Sequence, residues 1–151
     1  MNPQEITRRW YEISTHGATT GTDSFFRFIA IWIAFNALYA SRHGSARGDR
    51  NQVKNFAGSQ QAKQRHEELL TRDAEYQNAT QYIGCRSVFD SRNPRRRYQV
   101  PSNRKLKDLL NCVYQIRCNL FHGGKQPDDV RDATLVEAGY TVISKLIEAF
   151  L

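Results

Sequence analysis

The segment Val113-Tyr-Gln-Ile-Arg117-Cys-Asn-Leu-Phe-His122-Gly-Gly124 closes a helix whose apolar stripe is broken by one cation. Counting back from it, Leu106, Leu110, Val113, Arg117 and Leu120 follow the three-and-four spacing of a single helix face. Four are aliphatic and the fifth is a guanidinium. A charge on a core-facing stripe is costly unless it meets a counter-charge or a wet site. Arg117 therefore needs either an internal carboxylate, with Asp108 and Glu137 as candidates, or a phosphate carried by a ligand. Gly123 and Gly124 stop the helix directly after His122.

Helical patterns extend in both directions from this point. Phe25 to Ala40 is apolar on every side except at Arg27 and Asn36. Sixteen residues with two polar interruptions fall short of a membrane span and predict a buried central helix. Asn2, Pro3 and Glu5 open a first helix, which carries Ile6, Trp10 and Ile13 and fades at Gly17. Thr22 or Asp23 caps the central helix, which ends near His43-Gly44. The polar stretch Arg47 to Gln64, anchored by Val53 and Phe56, predicts a short helix or a surface excursion. A further helix from about Gln61 to Tyr82 meets the core through Leu69, Leu70, Tyr76 and Tyr82.

From Gly84 to Pro101 no period survives, which predicts a long loop. Ser102 caps the helix that ends at Phe121. Pro127, Asp128 and Asp129 start the last helix, whose core stripe is Val136, Tyr140, Ile143, Ile147 and Phe150. The fold class that follows is all-α: an up-and-down bundle of four to five main helices, one domain over 1–151.

The charge balance narrows the partners. Twenty-two basic residues against 15 acidic ones give a net charge of +7, and 16 of the basic residues are arginine. Arginine matches phosphate geometry with two parallel donors, although a basic surface also serves solubility alone. Arg95, Arg96 and Arg97, with Tyr98 and nearby Phe89, fit a charged stacking platform for single-stranded RNA or a solvated basic loop. Lys125, three residues past His122, is placed to touch a phosphate. Cys85, Cys112 and Cys118 cannot all pair within the chain, and no His/Cys ligand spacing appears. Reduced thiols, no metal, no cofactor and a cytoplasmic location are the expectations. His16, His43 and His66 read as surface or capping residues, and Asn36 as satisfying a backbone carbonyl or another helix. No helix-turn-helix with a polar second helix stands out, which disfavours a DNA-binding regulator.

Arg117 and His122 lie five positions apart, about 140° around a regular helix. They converge only if the final turn unwinds at the glycines or if two copies of this helix end meet across a two-fold axis. Asn119, between them, supplies an amide that can orient a phosphate or an imidazole. Arg117-Cys-Asn119-Leu-Phe-His122-Gly resembles the arginine-to-histidine motif of HEPN domains, a helical ribonuclease superfamily of bacterial toxins and defence proteins. Phe28-Ile-Ala-Ile-Trp32-Ile-Ala-Phe35-Asn36-Ala-Leu-Tyr39 is similar to the first core helix of the Apea-like HEPN branch.

The resemblance implies a metal-independent endoribonuclease, a toxin or antiviral effector that cleaves RNA by 2′-hydroxyl attack. It also implies a homodimer with a composite active site and an antitoxin or inhibitor protein as a partner. It puts Arg117 and His122 in the places of the catalytic pair, with Asn119 beside them. The polar residue that directly follows the arginine in many members is Cys118 here, and the tyrosine two past the histidine in some toxins is Gly124. Residues 47–101 match nothing in the family. The alternative reading is a catalytically silent HEPN-like module that binds RNA or another protein.

Overall fold

The computed structural model describes residues 2–16, 23–84, 88–100, 105–121 and 130–151. Within them, seven helices and one hairpin follow in order: α1 (Pro3–His16), α2 (Asp23–His43), α3 (Asp49–Gly58), α4 (Gln60–Arg72), α5 (Ala74–Gly84), β1 (Val88–Asp90), β2 (Asn93–Tyr98), α6 (Leu106–Phe121) and α7 (Val130–Ile147). A 3-10 turn, Glu148–Phe150, follows α7. The all-α class holds.

Helix α2 organises the bundle because one broad side of it is buried along its whole length. Phe28, Ile31, Trp32, Ala34, Phe35 and Tyr39 are all fully or almost fully buried. α1, α3 and α7 cover that side, while Phe26, Ile29, Ile33, Ala37 and Ala40 form a partly exposed stripe on the other. The window Ser24–His43 has the length and hydropathy of a membrane span, and here half of it is buried inside the fold. Ring contacts carry the core outward from α2: Trp32 to Phe35 edge-on at 5.4 Å, Phe35 to Phe56 of α3 edge-on at 5.1 Å, and Phe56 to Phe150 tilted at 5.3 Å. Arg27, the cation in this apolar run, lays its guanidinium 4.1 Å over the Tyr140 ring and donates from Nε to the Ser14 carbonyl.

Gly139 lets α7 settle against this helix. A Cβ there would stand 2.9 Å from Cε2 of the fully buried Phe28 and 3.7 Å from Val113 of α6. The missing side chain is therefore the contact point of three helices.

The expected start at Asn2 is present, with its Oδ1 accepting the Glu5 N–H at 2.9 Å. The capping signals at Thr22, Ser102 and Pro127 to Asp129 lie outside the described residues, as do Gly17, Gly123 and Gly124. The single helix expected from Gln61 to Tyr82 is two helices. Asp73 is extended, and its carboxylate accepts the Tyr76 N–H at 2.9 Å, so it caps α5 while closing α4. Ser59 separates α3 from α4 in the same way, accepting the Ala62 N–H. His66 is buried, not superficial, with Nδ1 2.6 Å from the Tyr76 hydroxyl. Asn36 donates to the Tyr39 hydroxyl at 2.6 Å, one turn along its own helix.

The expected loop at 84–101 contains an antiparallel hairpin. Val88 pairs with Tyr98, Phe89 with Arg97 and Asp90 with Asn93, with an irregularity between Phe89 and Asp90. Its alternation is hard to read because three consecutive arginines occupy β2 and only Val88 and Tyr98 mark the inward side.

Two stability measurements check this architecture. Gly139→Ala should cost about 1–3 kcal/mol in urea unfolding, because the fully buried Phe28 ring must shift to admit the methyl group. Asp73→Ala should cost about 1–2 kcal/mol. The Tyr76 N–H, and then Lys145 Nζ at 3.1 Å, hold the Asp73 carboxyl below its usual range. A depressed carboxyl stabilises the fold above its unfolded pKa, so the gap between wild type and Asp73→Ala should close as the pH falls below about 4.

Candidate nucleic-acid site around Arg117

Helix α6 is amphipathic, and its stripe is buried at Leu106, Leu110 and Val113 and half-buried at Leu120. Arg117 lies on this stripe near the C-terminal end. Its Nε is buried and has no hydrogen-bond partner among the described residues. Nη1 reaches the Cys118 Sγ at 3.9 Å. The guanidinium carbon sits 4.9 Å from the ring centre of Phe121, which is half exposed, and 5.7 Å from that of Tyr114.

Neither candidate carboxylate meets it. Glu137 accepts the Ser24 hydroxyl at 2.7 Å, and Asp108 lies nine residues back along α6, about 13 Å away along the axis. Among the described residues no acidic side chain forms an ion pair with Arg117. Aromatic faces contribute about 0.5–1 kcal/mol each to an exposed cation. They do not supply the directed acceptor that a buried N–H requires.

A second guanidinium approaches from α3. Arg50 lies 4.4 Å over the Tyr114 ring and 5.0 Å over the Tyr98 ring, so it is layered between helix α6 and strand β2. It also donates from Nη1 to Asn111 Oδ1 at 3.4 Å and from Nη2 to Gln115 Oε1 at 3.3 Å. The fields of Arg117 and Arg50 reach the neighbouring phenols. Burial pushes the Tyr39 hydroxyl up to about 12, with Asp49 adding to the rise and Arg117 opposing it. Tyr114 is raised for the same first reason, and Arg117 and Arg50 both oppose the rise. Both tyrosines therefore stay neutral hydrogen-bonding groups near neutral pH.

Asn119 has a different place from the one its sequence position implied. It is fully buried, and its Oδ1 accepts both the Gln115 Nε2 at 2.8 Å and the backbone N–H of Ser91 at 3.0 Å. It thus ties the hairpin turn to α6 and does not face an open surface. Arg95, Arg96 and Arg97 are exposed on β2 and Tyr98 is half-buried at its end. His122 and Lys125 lie outside the described residues. Cys112 is buried in α6, its thiol pushed up to about 12 first by burial and then by Asp108, while Cys118 is half-buried. Among the described residues no three His, Cys, Asp or Glu side chains gather as a metal-binding group.

Sequence reasoning missed Arg50 and Tyr114. Tyr114 stands one turn before Arg117, so its proximity was readable from helix spacing. Arg50 had no local signal, because it reaches the site only through the packing of α3 on α6. No family model, curated protein sequence or solved structure matches the chain.

Two substitutions separate the roles of these residues in thermal unfolding. Asn119→Ala should destabilise by about 1–3 kcal/mol, since it orphans the Ser91 N–H and the Gln115 amide. Arg117→Met should leave stability within about 1 kcal/mol of wild type or raise it, because it removes a buried N–H that no described residue satisfies. A large loss at Arg117→Met would mark that residue as part of the scaffold.

Proposed function

We propose that the protein is a metal-independent endoribonuclease of the HEPN type, acting in the cytoplasm on RNA as a toxin or antiviral defence effector. The observation that carries this reading is the buried Nε of Arg117, which has no acceptor among the described residues. It favours an external phosphate over an internal carboxylate. The sequence resemblance in 113–124 and 28–39 supplies the reaction class. The high arginine content and the aromatic rings beside Arg117 suit an RNA backbone.

RNA brings its own nucleophile. The 2′-hydroxyl gives up its proton as its oxygen forms a bond to the adjacent phosphorus, the bond to the 5′-oxygen breaks, and that oxygen takes a proton. His122 serves these transfers because an imidazole exchanges protons near neutrality. Arg117 holds the non-bridging oxygens and stabilises the charge that grows on them in the crowded transition state. Asn119 contributes through the hairpin it anchors. A homodimer would bring two imidazoles together, one for each proton transfer, and the exposed Phe121 at the end of α6 offers an apolar surface for that contact. An inhibitor or antitoxin protein is the expected partner in the cell.

The purified protein should cut single-stranded RNA in the presence of EDTA and leave 2′,3′-cyclic phosphate and 5′-hydroxyl ends. Arg117→Ala and His122→Ala should each lower the rate on the order of 10²–10⁴-fold. Ends bearing a 5′-phosphate, or cleavage that stops on chelation, would contradict the mechanism. RNA binding by wild type with no cleavage under any of these conditions would instead mark a silent binding module.

A further inference from the structure

The side of α2 that faces away from the core has an order of its own. Phe26, Ile29, Ile33, Ala37 and Ala40 fall within about 80° of the helix circumference and extend about 21 Å along it. Phe26 is 49% exposed and Ala40 is exposed, while Ile29, Ile33 and Ala37 are half-buried. Arg27 is the one charged residue between Phe26 and Ala40. It is turned away from the stripe, toward the Tyr140 ring and the Ser14 carbonyl. A continuous apolar strip on a helix surface marks a place where something packs.

The spacing selects the occupant. Gaps along the stripe are three, four, four and three residues, an order that reads the same in both directions about Ile33. An antiparallel copy of the helix, related by a two-fold axis beside Ile33, therefore sets Ile33 against its own counterpart. The same operation sets Ile29 against the partner's Ala37 and Phe26 against the partner's Ala40, each pair occurring twice. Every larger side chain off the axis thus meets a small one, which lets two helices close to about 8–10 Å. A parallel copy would crowd two Phe26 rings together and leave a gap between the alanines at position 40. Antiparallel packing also opposes the two helix dipoles. Neither a lipid surface nor an unrelated protein calls for palindromic spacing or for the size gradient from Phe26 to Ala40.

We infer that this stripe is a self-association surface on which two copies of α2 pack antiparallel about Ile33. Phe26 is the anchor at each end, seated on the partner's Ala40. The contact is independent of the ribonuclease reading and separate from Phe121 at the end of α6. Being about one helix wide, it belongs to the smaller class of specific interfaces, so the dimer exchanges with monomer in the micromolar range.

Sedimentation equilibrium of the whole chain over a concentration series reads the monomer–dimer balance, with circular dichroism to confirm that each variant is folded. Phe26→Ala and Ala40→Phe should each raise the dimer Kd roughly tenfold, the first by leaving a gap and the second by overfilling the same pair. Combining them restores one large and one small partner per pair and should return the Kd to within about threefold of wild type. Ile33→Cys should form an intermolecular disulfide with itself on mild oxidation, and Phe26→Cys should form one with Ala40→Cys in an equimolar mixture but not alone. Wild type controls for the native cysteines. A chain that is monomeric at every concentration, whether or not it sediments with phosphatidylcholine vesicles, would overturn the inference. So would a double variant weaker than either single one, or a dimer that survives Phe26→Ala and is lost in Phe121→Ser.

Discussion

The broad apolar side of α2 has to be covered, and its burial sets where the neighbouring elements pack. Phe28, Phe35 and Tyr39 line that one side of the helix and none meets solvent. The chain answers with α1 on one side, α3 on another and α7 across the Phe28 face, where Gly139 permits close approach. Helix α6 joins through Val113 at that same crossing and through the Trp32–Tyr114 ring contact at 5.8 Å. Once these contacts are made, the C-terminal half of α6 has one side in the core and another toward the hairpin. The position of Arg117 is a consequence of that packing.

Energetically Arg117 is the charged one of two exceptions among the described residues, the other being the buried Thr80 hydroxyl. Arg27 sits in an equally apolar run yet has a carbonyl acceptor and a close aromatic face. Lys145 pairs with Asp73 and Glu75, and Arg65 with Glu148 and Glu68. Among the described residues Arg117 has two rings, a thiol at 3.9 Å and no acceptor for its Nε. Buried donors without acceptors lower stability, and residues kept at such a cost concentrate where a ligand completes them. The neighbouring Arg50 shows how the fold treats an arginine that serves its architecture, layered between rings and bonded to two side-chain carbonyls.

Much of this was legible in the sequence because helical periodicity is a local property. The stripes of α2, α6 and α7 and the cap at Asn2 are written in residues three and four apart, and all appear where the spacing puts them. What was hidden depended on context. Asp73 looks like one more polar position in a long helix until its carboxylate is seen to cap the next one. The hairpin reads as loop because arginine fills the positions where β-branched residues normally mark a strand. Asn119 seemed free for chemistry, and only the folded chain shows it bound to Ser91 and Gln115, residues on the hairpin and on its own helix. Arg50 is 67 positions from Arg117, and no sequence pattern spans that distance.

The central claim is that the Arg117 Nε–H awaits a phosphate oxygen. Heteronuclear NMR of the arginine Nε–Hε groups tests it most directly, with the Arg117 signal identified by its loss in Arg117→Lys and the protein titrated with a non-cleavable, fully 2′-O-methylated oligoribonucleotide. The account predicts that this resonance moves as the oligonucleotide binds, because a charge-assisted hydrogen bond forms at a donor with no acceptor among the described residues. An Arg117 signal that stays in place while those of the exposed hairpin arginines shift would contradict it.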